Sequence, residues 1–380
     1  MIEKQSDVFS TFRGRLAIQQ RVLPAYRIPF FDALAAACED GLCLLAGQPR
    51  PEESIATGGK PRLAQYFPAR NRHFLQPGSP YYLCWQSSVG HWLDECQPDA
   101  LILEANPRYL SSPGAVRWMR RRNLPILGWG LGDGGGGGGL RLAGRQRFLR
   151  QFDGMIAYSQ RGAEGYRQLG FPSERVFVAL NAASASPVGP PPMRREGFAG
   201  RPVVLFVGRL QARKRVDTLL RTCAALPPEI QPRLWVVGDG PQLSQLQEIA
   251  QQVYPAAEFL GLKQGADLLP YFLGADLFVL PGTGGLAVQE AMAQGLPVIV
   301  AEGDGTQEDL VRPENGWRVQ PGDLDALLVT LHDALSDAPR LRRMGAESYR
   351  IVQEEANIDR MAQVFVRAVN EITASLRQAG

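Results

Sequence analysis

The chain has 380 residues, of which 45% are hydrophobic and 21% charged, and carries a formal net charge of +3. That length exceeds an ordinary single domain and the composition is that of a globular protein, so two domains with separate cores are expected. No stretch is apolar for the length of a bilayer, and the opening MIEKQSDVFSTFRGR is too charged for a signal peptide, so the expected location is the cytoplasm.

The charge is uneven. Residues 1–190 hold 22 Lys and Arg against 15 Asp and Glu, a net of +7, and the remainder holds 19 against 23, a net of −4. A basic first half suggests an acidic acceptor or peripheral contact with an anionic membrane surface; equally, RWMRRRN at 117–123 and RLAGRQRFLRQ at 141–151 read as solvated helix faces. No nucleic-acid partner is expected. The five cysteines, at 38, 43, 84, 96 and 223, are scattered and lack a C-x-x-C pair. They read as reduced core residues, not as a disulfide framework or a zinc site.

In chain order, short apolar runs alternate with helical patterns, which points to parallel sheets covered on both faces. The first half predicts strands at LAIQQ (16–20), GLCLLAG (41–47), DALILEA (99–105), LPILGW (124–129), GMIAYS (154–159) and RVFVAL (175–180), with FFDALAAACED at 30–40 as an amphipathic helix. LPAYRIPFF at 23–31 follows the first of these strands, which directs Tyr26 and Arg27 toward a cleft. EANPRYLSS at 104–112 does the same for Glu104, Asn106 and Arg108; for Asn106 a helix cap and for Arg108 a plain surface position fit equally well. GDGGGGGGL at 132–140 satisfies G-x-G-x-x-G only trivially, because a homopolymer specifies no turn, so it reads as a flexible loop over the acceptor rather than a dinucleotide site. SASPVGPPPMRREGFAG at 184–200 breaks every periodicity. The predicted organisation is therefore 1–185 as a first domain, 186–200 as linker, 201–355 as a second domain, and 356–380 as a last helix capped by Asn357 or Asp359.

The second domain holds the strongest signal: VLFVGRLQARK (204–214), WVVGDGP (235–241) and ADLFVLPGTGGLAVQEAMAQGLPVIV (275–300). Each is an apolar strand ending in Gly-rich backbone that leads into a helix, an arrangement that gathers free N–H groups at one crevice. Arg209 and Lys214 supply charge for a diphosphate. Glu290, one turn into the last helix, offers an acceptor-only carboxylate to a vicinal diol such as ribose, unless it is only a capping acid. Phosphates beside a diol-binding acid indicate a nucleotide.

Taken in order, G-R with K four residues further on, G-D-G-P, F-L-G-L, A-D-x-F-V-L-P, G-L-x-x-x-E-A-M-A-x-G-x-P-V-I and a late N-G-W resemble the retaining family 4 glycosyltransferases. The resemblance implies an α/β GT-B fold of two facing Rossmann-like, doubly wound domains, an N-terminal acceptor-binding domain and a C-terminal nucleotide-sugar-binding one. It implies retaining transfer of a hexosyl group from a UDP-sugar, or a GDP-sugar, to a small-molecule, glycan or lipid hydroxyl, and a last helix that returns to the first domain. Arg209, Lys214 and Glu290 would be catalytic. Gly208, Leu262, Lys263, Gly282, Thr283, Gly284, Gly285, Leu286, Ala287 and Val288 would bind the donor. No metal and no cofactor is expected, the nucleotide sugar being a co-substrate. A second enzyme on this architecture, an epimerase or a phosphorylase, and a non-catalytic nucleotide-binding protein are the alternatives.

Two departures stand out. Where many members have a Glu eight positions before the second Glu, this chain has Gly282. Where many have W-G-H-G, it has Trp129-Gly130-Leu131-Gly132. The resulting gap at the sugar leaves its hydroxyls to the backbone amides of Thr283 and Gly284, to the Thr283 hydroxyl, or to a first-domain residue such as Asp133.

Overall fold

The computed structural model describes residues 10–379, apart from 54, 77, 78, 80, 133–138 and 304. The chain divides into two compact units, one formed by Met1–Ala183 with Ile358–Gly380 and the other by Ser184–Asn357.

The first unit contributes β1 (Leu16–Val22), β2 (Leu42–Gly47), β3 (Gln65–Pro68), β4 (Asn71–Phe74), β5 (Leu83–Gln86), β6 (Ala100–Glu104), β7 (Ile126–Gly130), β8 (Gly154–Ala157) and β9 (Val176–Val178). Seven of them form one parallel sheet in the order β3-β2-β1-β6-β7-β8-β9, and β4 and β5 pair separately as an antiparallel hairpin. The six strands predicted for this half are all present. β3, β4 and β5 escaped because they are four residues long and mostly polar or aromatic, without the apolar run that marks a central parallel strand.

Period-2 alternation divides the sheet's side chains between two cores. Leu16, Ile18, Leu44 and Ile102 pack on one face with the helices Ile28–Ala36 and Ile358–Ala379. Ala17, Cys43, Leu45, Leu101 and Leu103 pack on the other, with the helices Val89–Cys96 and Ser112–Arg120. Cys43 on β2 thereby meets Cys96 at the end of a covering helix, and the two are disulfide-bonded with Cα atoms 6.4 Å apart, inside the usual range for a bridge. This corrects the reading of every cysteine as reduced: the strand–helix packing joins residues 53 positions apart that no spacing motif connects. Cys38, Cys84 and Cys223 are free and buried.

The second unit contributes β10 (Val203–Val207), β11 (Arg233–Val237), β12 (Ala257–Gly261), β13 (Leu277–Leu280), β14 (Val298–Ala301) and β15 (Gly316–Val319), a parallel sheet in the order β12-β11-β10-β13-β14-β15. Residues 184–200 have no regular structure, yet they are tied down on this unit. Arg194 is half-buried and donates to the carbonyls of Phe272, Leu273, Ala275 and Gln294. Burial, with Arg342 nearby, pushes its pKa down to about 10. At the other end, Asn357 donates from its side-chain amide to the carbonyls of Val352 and Gln353, closing the helix Ala338–Glu354.

Phe365 fixes the last helix on the first unit. Its ring is fully buried and meets Phe30 and Trp129 edge-on, with centroids 4.9 Å away in both cases. Phe365→Ala should cost about 3–5 kcal/mol, the usual range for emptying a buried aromatic site. The check is the denaturant midpoint followed by circular dichroism; an unchanged midpoint would show that the helix is not part of the first unit's cooperative core.

Candidate functional site

In the second unit the chain runs outward from β10 to β11 and β12, then returns to β13 on the other side of β10. The loops that leave the carboxyl ends of β10 and β13 therefore diverge, and an open parallel sheet binds its ligands at such a switch point. Gly208, Arg209 and Lys214 lie on the first of these loops; residues 282–286 lie on the second and run into the helix Ala287–Ala293, which carries Glu290. Leu262 and Lys263 follow β12 at the same end of the sheet, with Leu262 exposed.

Backbone contacts hold the loops together. The amide of Gly208 donates to Val237 at 3.0 Å, that of Leu210 to Asp239 at 2.9 Å, and that of Gly238 to Gly261 at 2.9 Å. Gly238 has φ of 143°, and a Cβ there would overlap the Gly208 carbonyl, so the G-D-G sequence is needed for this approach.

Across the switch point the two loops clasp each other. Thr283 donates its amide to the Arg213 carbonyl at 3.1 Å, and the Arg213 guanidinium returns a bond to the Thr283 carbonyl at 3.0 Å. Lys214 is buried, and its Nζ donates to the carbonyl of Thr283 at 2.9 Å and to that of Gly284. Gly282 is what allows this closeness: a Cβ there would run into the Arg213 carbonyl oxygen and lie 2.6 Å from Lys214 Cα. The space of a carboxylate side chain at 282 is thus already filled by backbone.

Arg209 is exposed and its guanidinium has no partner among the described residues. The Glu290 carboxyl is half-buried, without a hydrogen bond or ion pair among the described residues, and burial pushes its pKa up. The amides of residues 284–288 have no backbone acceptor among the described residues. A cation, a carboxylate and a row of amides left unpartnered at one crevice are what a polar ligand requires. Arg213, beside Gly284 and part of the clasp, went unremarked in the sequence, although its place next to Lys214 was a usable signal.

The first-unit candidates divide differently. Tyr26 is exposed, but Arg27 is buried: its guanidinium donates to Asn181 Oδ1 at 2.5 Å and to the Ala182 carbonyl at 3.3 Å, and lies 5.4 Å from the Trp129 ring centre. Trp129 itself is a core residue, packed on Phe30, Tyr158 and Phe365. Both side chains are buried within the first unit. Asn106 accepts the Arg108 amide at 3.1 Å in a local turn, and the Arg108 side chain is exposed. Asp133 and most of the glycine run lie outside the described residues; Leu131 is exposed.

Glu104 ends β6 and accepts the Arg21 amide at 2.7 Å; burial is the largest influence on its carboxyl and pushes its pKa up to about 7. Arg21 in turn pairs with Glu53 at 2.8 Å, and Tyr82 lies 2.7 Å from His73 Nδ1. This cluster was invisible in the sequence because it joins the ends of separate strands and loops.

Among the described residues no group of three or more His, Cys, Asp or Glu side chains is placed to hold a metal ion, and no helix is long and apolar enough to cross a membrane.

Residues 193–351 match the family model described as glycosyl transferases group 1. Over 147 residues the chain is 32% identical to the sulfoquinovosyl transferase SQD2 of Arabidopsis thaliana, covering 37% of this chain and 28% of that protein. Over 169 residues it is 34% identical to the GDP-mannose-dependent alpha-(1-6)-phosphatidylinositol monomannoside mannosyltransferase of Mycolicibacterium smegmatis, covering 40% of this chain and 43% of that one. The chain thus spans less than half the length of these curated relatives. Solved structures are similar over nearly the whole chain. Sucrose-phosphate synthase from Thermosynechococcus elongatus has a TM-score of 0.70 at 20% identity, over 96% of this chain and 100% of that one. Anabaena HepE in complex with UDP has a TM-score of 0.68 at 18% identity, over 96% and 99%. The chain has the GT-B fold of these structures, and residues 193–351, within its second unit, are what resembles the group 1 glycosyl transferases.

Two outcomes follow from this geometry. Gly282→Ala should separate the clasped loops, at a cost of about 1–3 kcal/mol for forcing a methyl into filled space, and should weaken nucleotide binding; wild-type melting together with wild-type affinity would refute the close approach. Glu104, whose folded pKa lies above its unfolded value, favours the fold most below about pH 4.5, and that contribution is lost as pH rises toward 7. Relative to Glu104→Gln, the wild type should therefore lose stability across that window, by at most about 1.4 kcal/mol per pH unit. Parallel pH profiles of the two melting temperatures would remove Glu104 from the account.

Proposed function

We propose that the chain is a retaining glycosyltransferase that moves a hexosyl group from a nucleoside-diphosphate sugar to a hydroxyl acceptor. The observation that carries this reading is the clasped pair of loops at the β10/β13 switch point, with Arg209 and Lys214 on one side and Glu290 on the other. The match of residues 193–351 to group 1 glycosyl transferases supports it.

The chemistry follows from charge. As the anomeric C–O bond breaks, its electron pair goes to the diphosphate, and Arg209, Lys214 and the amides of residues 284–288 stabilise the charge that develops. The acceptor oxygen forms the new bond to the anomeric carbon from the face the diphosphate leaves, and its proton passes to a departing phosphate oxygen. This route needs no protein base and no metal. Glu290 accepts the two ribose hydroxyls, and backbone near Leu262 and Lys263 meets the base.

Donor identity is open between two kinds of relative: the mycobacterial proteins named for GDP-mannose and the Anabaena structure that holds UDP. With Gly282 in place of an acid, sugar hydroxyls fall to Thr283 and neighbouring amides. Such contacts strand no buried charge when an epimer binds, so selection among hexoses should be broad. The acceptor is a small molecule, a glycan or a lipid, and a cytoplasmic location suits a nucleotide-sugar substrate.

Incubation with a panel of UDP- and GDP-sugars, scored by release of nucleoside diphosphate, tests the reading; release with none would leave a nucleotide-binding protein without transfer. Arg209→Ala should lower turnover by about 100–1,000-fold with unchanged melting, since Arg209 is exposed and its guanidinium has no partner among the described residues. Lys214→Ala should lower turnover and melting together, because Lys214 also holds the donor loop. For Glu290→Ala the Michaelis constant should rise more than turnover falls, ribose being held equally in ground and transition states. A turnover collapse at constant Michaelis constant would instead place Glu290 at the reacting centre.

A further inference from the structure

The segment from 54 to 93 contains no Asp or Glu, yet it contains Lys60, Arg62, Arg70 and Arg72 and seven aromatic residues. The β4–β5 hairpin lies within it. Register sets Arg72 opposite Trp85 and Phe74 opposite Leu83, and alternation puts these four side chains on one face and Asn71, His73, Cys84 and Gln86 on the other.

The second face looks inward. Gln86 donates to the Gln20 carbonyl at 3.1 Å, Asn71 to the Arg21 carbonyl at 2.7 Å, and Cys84 is buried with Tyr82 and Tyr109. On the far side of β5 the segment 108–110 runs alongside: Cys84 donates its amide to Arg108 at 3.0 Å, and Leu110 donates its amide to Cys84 at 2.9 Å, in a parallel bridge between Cys84 and Tyr109. Since Tyr109 points inward with Cys84, Arg108 and Leu110 share the outer face with Leu83 and Trp85. That face reads across as Arg72, Trp85, Leu110 and, one step along, Phe74, Leu83, Arg108.

It is uncovered. Phe74 is 48% exposed, Leu110 47% and Trp85 37%, and at the hairpin's end Leu75 is 61% and Tyr81 67% exposed. The Arg72 guanidinium lies 5.3 Å from the Trp85 ring centre. A row of exposed apolar side chains of this size marks a contact surface, and here it is edged by cations with no acid on the hairpin. Tryptophan, tyrosine and arginine together suit the boundary between lipid headgroups and acyl chains, where the ring is half-immersed and the cation meets phosphate.

We propose that the outer face of this hairpin, with Arg108 and Leu110, docks the first unit on an anionic phospholipid surface. The underside of the hairpin reaches the Glu104 cluster, so a membrane held by the outer face would lie at the end of the first unit where β1 and β6 finish. A lipid acceptor would then lie at this end of the first unit, whatever the donor loops bind.

Co-sedimentation with vesicles tests it, using phosphatidylcholine alone and phosphatidylcholine with about three parts in ten phosphatidylglycerol. The protein should pellet with the anionic vesicles, pellet little with the neutral ones, and be released as salt rises. Phe74→Ser with Trp85→Ser should abolish pelleting, with circular dichroism verifying the fold. Arg72→Gln should weaken partitioning about fivefold, the usual effect of one cation at an anionic surface. Arg343→Gln, the same loss of charge at an exposed position of the other unit, should leave it unchanged. Absence of pelleting, equal losses from the two arginine variants, or a Trp85-dependent dimer in lipid-free light scattering would each overturn the proposal. Nucleoside diphosphate release is not part of this readout, so its failure leaves the donor-loop reading standing, and the converse holds.

Discussion

The candidate site depends on one steric fact, the absence of a side chain at residue 282. Because Gly282 lets the loop after β13 lie against the backbone of Arg213 and Lys214, the Lys214 ammonium reaches the carbonyls of Thr283 and Gly284 and the two loops become one surface. A buried ammonium needs such acceptors, since desolvation without them would cost several kcal/mol or drive off the proton. The glycine and the lysine therefore require each other: the one admits the contact and the other stabilises it. An acid at 282, as the resemblance led one to look for, would demand a different path for the backbone on both sides of the switch point.

This view changes what the missing carboxylate means. Read from sequence, Gly282 is a gap at the sugar. In the structure it is occupied space, filled by main chain that brings Arg213 next to Gly284. The local balance of charge shifts accordingly, with Arg209, Arg213 and Lys214 on one loop and no acid between residues 281 and 289 on the other. For the proposed reaction, such a crevice would favour the diphosphate over the neutral sugar and concentrate binding energy where charge grows during bond breaking.

The parallel strands were legible in the sequence for a simple reason. Strands such as VVLFV at 203–207 and ALILE at 100–104 are covered on both sides, so burial writes itself as a continuous apolar run. Strands outside that pattern were not legible: β3, β4 and β12 have partly exposed faces, and their residues serve water and neighbours as much as the core. At the site, the Gly-rich turns and the Arg, Lys and Glu residues were visible because each sits a few positions from its own strand end. The Cys43–Cys96 bridge, the Arg21–Glu53 pair and the anchoring by Arg27 were not, since each joins segments distant in the chain and depends on how helices settle on the sheet.

The two units also show how one topology yields different chemistry. Both sheets reverse direction beside their first strand, between β1 and β6 in one unit and between β10 and β13 in the other. In the first, the charged residues near the reversal are consumed internally: Arg21 holds Glu53, Glu104 takes the Arg21 amide, and Arg27 is spent on Asn181 and Ala182. In the second, Arg209 and Glu290 are left without partners among the described residues, and burial of the Glu290 carboxyl carries a desolvation cost that no contact among those residues offsets. Unpaired charge gathered at a crevice is the usual mark of a site that a ligand completes. The difference between the two switch points therefore lies in partnering, not in topology, and it is partnering that singles out the second unit as the place where a nucleotide would be held.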